Sequence, residues 1–572
     1  MLATDFNKKA QTAFLNNTKP MKEFDTIIIG SGAGGLSAAL CLARAGQKVV
    51  VLEQHYVPGG WCHSFYIDGH RYSPGVHYIG SMDKGESTAS LFEGLGIANE
   101  LVFFRMNKDA YEHCWIGNER IDIPAGVERL TDSLTHRFPN EKKGIRKYLG
   151  LVKKVSSQLF LIPKMKGFWD NITIAYRTRH LGKYGLFRLK RVIGWHIKDP
   201  LLKKVLNIQC GDHGLPPSRA SFPIHCVLMA HYFNGGFYPM GGGAAIVKAM
   251  TNGIKKYGGE VQTGVAVKRI LVEGNGSLSA VGVELQNGEQ IRAKNILSNA
   301  DPAATYKMVG YDKLSKKLIK KLEATRYSVT SLMFFITVDM DVRRAGLDSG
   351  NIWYLPEKDM DEVYEDLTRI SILEKDEFES LFISCSSLKD PLSFNGRHHT
   401  IEVVSFIDYD SFKADSGIHN ERYQDMKARL CEKLMNTFRR IMPDVHKHIL
   451  HVELGTPVTN EYYINATKGN VYGTEKGFMQ TGPFSFKPKT EIQNLYMCGA
   501  STMSHGVAGA SYSGVQAAAS ILKCKEEELM KKDEDQELRI YDAEDSSQWP
   551  GWLHQRLADK KKRSENRVTD TL

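Results

Sequence analysis

Nowhere does the chain run apolar for the roughly 20 residues that a membrane span requires; its longest apolar runs have the length of strands or amphipathic segments. The N-terminus, MLATDFNKKAQTAFLNNTKP, lacks the apolar core of a signal peptide, so no secretory signal is expected. The nine cysteines include no C-x-x-C pair. That argues against a zinc site or a disulfide scaffold, fits a reducing compartment, and leaves no metal expected. No internal repeat is visible. With 42% apolar and 24% charged residues the composition excludes a disordered chain. At 572 residues it exceeds what one core holds, so two joined domains are expected.

Charge of one sign is also scarce, except in one place. The net charge is +10, yet the stretch from Lys142 to Lys204 alone holds 17 Lys and Arg against Asp170 and Asp199. The rest of the chain is therefore mildly acidic. In GLFRLKRVIGWHIK, Leu186, Leu189, Val192 or Ile193, and Ile197 recur at helical spacing, while Arg188, Lys190, Arg191 and Lys198 fall largely elsewhere. A basic amphipathic helix with tryptophan is the form of an interfacial membrane binder, and each basic side chain adds about 1 kcal/mol near an anionic leaflet. Nucleic acid is the rival partner for such charge, but an apolar face is wasted on phosphates. Peripheral attachment to the cytoplasmic side of a membrane is the expectation, with no nucleic acid. The bland alternative is a helix that packs its apolar side inward and leaves a solvated basic face.

What is present in strength is glycine in a particular setting. FDTIIIG leads into GSGAGGLSAALCLARAG and then KVVVLE, a strand–helix–strand unit with parallel strands and a right-handed crossover. Gly30, Gly32 and Gly35 satisfy G-x-G-x-x-G, and Glu53 ends the second strand 23 residues after Gly30. The pattern alone is weak; in this context it reads as a dinucleotide site. Gly30 makes the tight turn, Gly32 lets the backbone approach a pyrophosphate, and Gly35 lets helix pack on sheet. The helix N-terminus offers free N–H groups to phosphate, and Glu53 accepts from ribose hydroxyls. A structural glycine turn is the competing reading.

NAD and FAD both use such a unit. After Glu53 the chain passes through Gly59 and Gly60, where a longer ligand arm could be clasped. Near the other end, NLYMCGASTMSHGVAGASYSGVQAAASIL places a strand (Leu495–Cys498), then Gly499 and a glycine-punctuated loop, then a small-residue helix from about Ser511. Such a helix can aim its dipole at the pyrimidine end of a flavin. The competing reading is a tightly packed glycine/alanine helix.

These motifs, with GGFYPMGGGAAIVKAM, GGEVQTGVAVKRI and AVGVELQNGEQIRAKNILSNADPAATY, resemble the flavin-dependent phytoene desaturase and carotenoid isomerase superfamily, of amine-oxidase fold lineage. Within it, GGWCHSFYIDGHRYSPGVHYIGSM, FISCSSLKDP and ELGTPVTNEYYINATKGNVYG look most like the retinol saturase branch. The resemblance implies an α/β fold, a Rossmann-like FAD-binding domain with an interleaved α+β substrate domain. It implies that residues 24–95, 235–310 and 485–525 form the FAD-binding domain, and 96–234 and 311–484 the substrate domain. It assigns Gly30, Gly32, Ala33, Gly34 and Gly35 to the pyrophosphate, Glu53 and Gln54 to the adenosine end, and Gly60 to the ribityl chain. Val267 would clamp adenine through its backbone, Asn299 and Ala300 would close the strand return, and Gly499 and Val507 would sit at the phosphate–ribityl and isoalloxazine ends. Two departures stand out: Ala500 replaces the acid that many relatives have after this glycine, and the N-terminal targeting segment of animal saturases is missing. Cys498 is expected to point into the sheet, so covalent flavin attachment is not.

The implied reaction is FAD-dependent reduction of a carbon–carbon double bond in a retinoid or other isoprenoid lipid. Hydride added to one carbon requires a proton at the other. His77 and Tyr78, in SPGVHYIG, and His505, in MSHGVAG, are the candidate catalytic residues; each could instead only pack or cap. No separate NAD(P)H domain is visible around Tyr232, Phe233 and Phe237, and NAD(P)H remains only a candidate electron source. Rival readings are a carotenoid desaturase or cis–trans isomerase, an amine oxidase, and a non-enzymatic prenyl or lipid carrier of the same fold. Residues 526–572 read as a charged tail: KKDEDQELRIYDAEDSSQ as a solvated linker, and WPGWLHQRLADKKKRSENR as a surface helix or disordered end.

Overall fold

The computed structural model describes residues 23–162, 168–369, 372–413, 420–532 and 536–569. The N-terminal segment, in which no secretory signal is expected, and Lys164 and Lys166 of the basic district lie outside the described residues.

Strand β1 (Glu23–Ile29), helix α1 (Ala33–Arg44) and strand β2 (Val49–Glu53) form a parallel unit. TIII and VVVL are continuous, mostly β-branched runs because helices and further strands cover both faces of the sheet. β1 also pairs in parallel with Gln290–Ser298, which pairs with Leu495–Met497, and β2 pairs with Glu260–Thr263. Val267–Glu273 and Ser279–Leu285 complete seven strands. One sheet is thus assembled from three distant parts of the chain. Helix Gly506–Leu522 lies against α1 at very short range. A Cβ at Gly514 would overlap the Gly34 carbonyl, and Ser37 Oγ donates to Ser511 O at 2.8 Å. The helix begins at Gly506, earlier than the sequence pattern suggests, because Gly506 and Gly509 lie within its first turn. Glycine lowers helix propensity, but at Gly509 a Cβ would press on Ser504 at 2.7 Å.

A second seven-stranded sheet runs Ile449–Gly455, Thr330–Val338, His399–Ile407, Leu381–Ser384, Asn351–Leu355, Glu112–Ile116 and Glu119–Ile123. Its side chains alternate by face. Phe334, Ile336, Ile352, Ile383 and Val403 pack on Leu430, Leu434 and Phe438 of helix Glu421–Ile441. Met333, Trp353, Phe382, Val404 and Phe406 point the other way, into a large cavity. Helices Lys142–Leu161 and Phe222–His231 share a core with the strand edge at Cys114 and Ile116 and cover the cavity's far side.

Two expectations are corrected here. Most of the apolar stripe of the basic stretch faces inward: Leu189, Val192 and Ile193 of helix Leu189–His196, and Ile197 just after it, are buried in the helical core. Lys190 pairs with Asp361 at 2.7 Å, and Arg191 stacks over Phe187 and Trp195. The stripe Leu189, Val192, Ile193 and Ile197 is therefore closed to lipid, while Leu186 just before the helix and Trp195 on it stay exposed. The C-terminal region is not simply a solvated tail either. Arg539–Asp542 forms a strand parallel to Val102–Arg105, which pairs with Phe237–Pro239. Trp549 is buried against Phe104, ring centroids 5.5 Å apart, and its indole N–H donates to Asp542 O at 2.7 Å. Charge around the strand hid a short RIYD segment whose backbone completes an otherwise open sheet edge.

Candidate active site

One cavity of about 1180 Å3 runs from the glycine turn after β1 to the second sheet. It exceeds the roughly 300–1,000 Å3 of ordinary small-molecule pockets, as a site holding a dinucleotide beside a substrate must. Gly30, Gly32, Ala33, Gly34, Glu53, Gln54, Gly60, Val267, Asn299, Ala300, Gly499 and Val507 all line it. Gly35 does not; its missing Cβ leaves room for the Gly30 carbonyl, so it serves the packing of α1 on the sheet.

At the dinucleotide end the organising side chain is Asn299, directly after the strand Gln290–Ser298. A Cβ at Gly32 would meet its amide nitrogen at 2.7 Å, and one at Gly34 its amide oxygen at 2.7 Å. Asn299 thus plugs the sheet side of the turn and leaves the other side open. Cys498 is buried with Sγ 3.4 Å from Asn299 Oδ1 and does not line the cavity. Glu53 is buried, and its Oε2 accepts from the Ser31 backbone N–H at 2.8 Å and the Ser31 hydroxyl at 2.6 Å. Its Oε1 accepts from His55 N–H at 2.9 Å. A carboxylate has about four acceptor positions, so Glu53 keeps one for a further donor. Ser31 Oγ in turn accepts from Gly59 N–H at 2.9 Å. The sequence reading missed Ser31; its only signal was a hydroxyl inside the glycine motif. The open turn, the free helix ends and the residual acceptor on Glu53 fit FAD.

At the other end the walls are aromatic and aliphatic: Trp353, Phe382, Phe406, Tyr232 and Tyr472, with Ile224, Val227 and Leu228 of helix Phe222–His231. His77 Nδ1 lies 3.0 Å from Glu402 Oε2, and Glu402 Oε1 accepts from Ser73 N–H at 2.7 Å. Tyr78 is buried and stacked on Tyr232 with centroids 4.3 Å apart. Its hydroxyl is 2.7 Å from Glu112 Oε1 and 2.8 Å from Asp212 Oδ2. His505 occupies the N-cap position of helix Gly506–Leu522, but its side chain does not cap it. Burial holds its imidazole down to about 3, so at neutral pH it is an uncharged ring. A neutral imidazole is a poor acid.

The sequence reading also missed Lys476, which lines the cavity and donates to the Ala500 carbonyl, its amine lowered by burial to about 7. It missed Lys389 as well, a buried amine that donates to the His77 carbonyl at 2.8 Å, to Ser384 Oγ at 2.7 Å and to Asn351. Glu112 and Asp212 were invisible in the same way, since only the fold brings their separate segments to one hydroxyl.

Residues 33–522 match the family described as flavin containing amine oxidoreductase. The chain belongs to this family. It is an FAD-dependent oxidoreductase of α/β architecture. The all-trans-retinol 13,14-reductase of Danio rerio is 31% identical over 543 residues, covering 90% of this chain and 88% of the relative. The chloroplastic prolycopene isomerase of Daucus carota is 27% identical, covering 87% and 80%. Among solved structures, an oxidoreductase from Methanosarcina mazei superposes with a TM-score of 0.58 at 17% identity, covering 88% of this chain and all of that one. It shares the fold.

Proposed function

We propose that this flavoprotein reduces a carbon–carbon double bond of a retinoid, in the manner named for its 13,14-reductase relatives. The observation that carries the reading is the continuity of the cavity: the dinucleotide cradle opens directly into a chamber walled by rings and aliphatic side chains. An extended apolar polyene fits such walls, and a small polar amine does not need them. When bound, FAD supplies or accepts a hydride. The protein's own residues orient the polyene, exclude water and deliver the proton. Likeness to prolycopene isomerases keeps a second reading, isomerisation without net reduction.

The roles of the cofactor-lining glycines, Glu53, Val267, Asn299, Gly499 and Val507 belong to this proposal, as do His77 and Tyr78 as residues of the substrate chamber. His77, held by Glu402, orients the ligand; it faces the cavity and forms an edge contact with Phe382 at 5.3 Å.

Peripheral membrane attachment is also part of it, carried by exposed apolar side chains of the same basic district rather than by the buried stripe Leu189, Val192, Ile193 and Ile197. No described helix is long and apolar enough to cross a membrane. Phe160, Ile162, Ile174, Tyr176, Leu186 and Trp195 are large apolar side chains left exposed within the basic district. Phe160 is half exposed and also lines the cavity, so the cavity reaches the surface at this patch. An anionic leaflet suits the charge, and a bilayer is where a retinoid resides.

Anaerobic incubation of the holoenzyme, its flavin reduced by dithionite, with a panel of retinoids and carotenoids tests the reaction. A product carrying two added hydrogens, with reoxidation of the flavin, is expected. A product of unchanged mass and altered geometry assigns isomerisation, and two lost hydrogens a desaturase. Flotation with vesicles containing anionic lipid should drop at least several-fold in the Phe160→Ser, Leu186→Ser double variant; undiminished flotation removes this patch as the membrane surface.

A further inference from the structure

Tyr78 places one phenolic proton between two carboxyl groups. Its oxygen lies 2.7 Å from Glu112 Oε1 and 2.8 Å from Asp212 Oδ2. One O–H donates to one acceptor, so the second short contact is a hydrogen bond only if that carboxyl carries a proton and donates to the phenol oxygen. Glu112 Oε1 also accepts from the Trp353 indole at 3.1 Å, which marks it as the acceptor of the pair. Asp212 has no such second donor in the described hydrogen bonds, and it alone of the two lines the cavity. We propose that Asp212 is a protonated carboxylic acid at neutral pH and the proton donor to the double bond.

The fold builds this arrangement from four segments. Glu112 opens its strand beside Asn351, two residues from Trp353 on the neighbouring strand. Asp212 sits in the tight turn Ile208–His213, where a Cβ on Gly211 would overlap the Trp353 ring. Tyr78 is fixed by its stack on Tyr232 and by the backbone bridge of Ile79 to Phe237. The His505 ring faces the Asp212 carbonyl, which ties the acid to the start of helix Gly506–Leu522 and thereby to the flavin end of the cavity.

The electrostatics agree with the geometry. Burial and the neighbouring Glu112 hold the Asp212 carboxyl well above the ordinary carboxylate range, and burial raises Glu112 to about 7. The groups facing the pair are Tyr78, Tyr111, Tyr232, Tyr364 and Tyr472, the thiols Cys114 and Cys210, the uncharged His505 ring at the Asp212 carbonyl, and Lys389, which acts on Glu112 and whose amine burial lowers to about 7. The phenols and thiols are all raised by burial and stay protonated. Two like charges this close in a poorly solvated site are unfavourable together, which keeps one proton on the pair.

The step balances. The π bond breaks, one carbon receives a hydride from two-electron-reduced flavin, and the π electrons at the other carbon take the proton of Asp212. Two C–H bonds form, the alkene is reduced and the flavin oxidised. Asp212 is left as a carboxylate beside Glu112, and their repulsion draws a proton back from solvent when product leaves. Tyr78 holds the acid in place, and Glu112 keeps it protonated; both are positioning residues.

This inference rests on the proposed reduction, and the test separates the two. The infrared difference spectrum of wild type minus Asp212→Asn holoenzyme at pH 7 should show a protonated-carboxyl stretch; its absence overturns the proposal. Asp212→Asn should slow saturation about 100-fold or more, with flavin content and retinoid affinity unchanged; activity within a few-fold of wild type overturns it. Asp212→Asn that binds no flavin assigns the residue a structural role and also overturns it. Glu112→Gln should move the alkaline limb of the pH–rate profile to lower pH, because Asp212 loses the neighbour that holds its proton. An unmoved limb counts against the coupling. A wild type that shows the band but saturates no retinoid leaves the acid standing and overturns the reduction.

Discussion

Ser31 joins Glu53 to the glycine turn: both its backbone N–H and its hydroxyl donate to the same carboxylate oxygen, at 2.8 and 2.6 Å. The acid that ends β2 is thus a structural clamp on the glycine turn, whatever ligand it also meets. Ser31→Ala removes a hydrogen bond to a charged group, about 1.5–3 kcal/mol, and also the acceptor for Gly59 N–H. FAD titration by flavin fluorescence should show weaker binding, and Glu53→Ala should bind weaker still. Full flavin occupancy in Glu53→Ala would falsify the assignment of that carboxylate to the cofactor.

Gly514 and Gly150 make a contrasting pair. A methyl at Gly514 overlaps the Gly34 carbonyl, so the two helices must separate. Gly514→Ala should destabilise by about 1–3 kcal/mol and loosen flavin. Gly150 lies in helix Lys142–Leu161 with nothing near its missing Cβ, so Gly150→Ala should stabilise by about 0.5–1 kcal/mol. Thermal melts of both variants check the sign of each.

The Tyr78 cluster makes stability depend on pH. Glu112 titrates near 7 in the fold and near 4.5 unfolded, and Asp212 is likewise raised. Between those values the unfolded chain has released protons that the native state retains, so stability falls as pH rises through that window. In Asp212→Asn this fall should be shallower, so the variant gains on wild type as pH rises from 5 toward about 7. Urea unfolding at a series of pH values measures it; parallel curves would refute a retained proton.

Trp549 should matter although it lies in a charged C-terminal region. Trp549→Ala empties a site against Phe104 and removes the bond to Asp542 O, a loss of about 3–5 kcal/mol. A melting temperature unchanged in this variant would mean that the strand Arg539–Asp542 does not hold its place in solution.

Part of this molecule could be read without coordinates. The β1–α1–β2 unit was legible because a buried parallel strand writes itself as an apolar run, and a tight turn against phosphate admits only glycine at fixed spacing. The helix Leu189–His196 was legible as a helix but not in its orientation. Its periodicity states that one face is apolar, and burial against Leu202 and Phe222 satisfies that pattern as well as lipid does.

The sequence by itself determined a dinucleotide-type glycine turn, since that rests on local spacing and on backbone geometry that few residues tolerate; the spacing left NAD and FAD open, and the resemblance to a flavoprotein superfamily pointed to FAD. Only the tertiary structure decided which side chains meet in the chamber. Glu112, Asp212 and Trp353 come from a strand, a turn and another strand far apart in the chain, and their meeting at Tyr78 leaves no local pattern. For Asn299 the resemblance gave a place near the cofactor, but its role in filling the back of the glycine turn shows only once the strand before it is paired with β1. Local rules set where the chain turns and what it can approach; long-range pairing, which brings distant residues within hydrogen-bond reach, set where the proton is held.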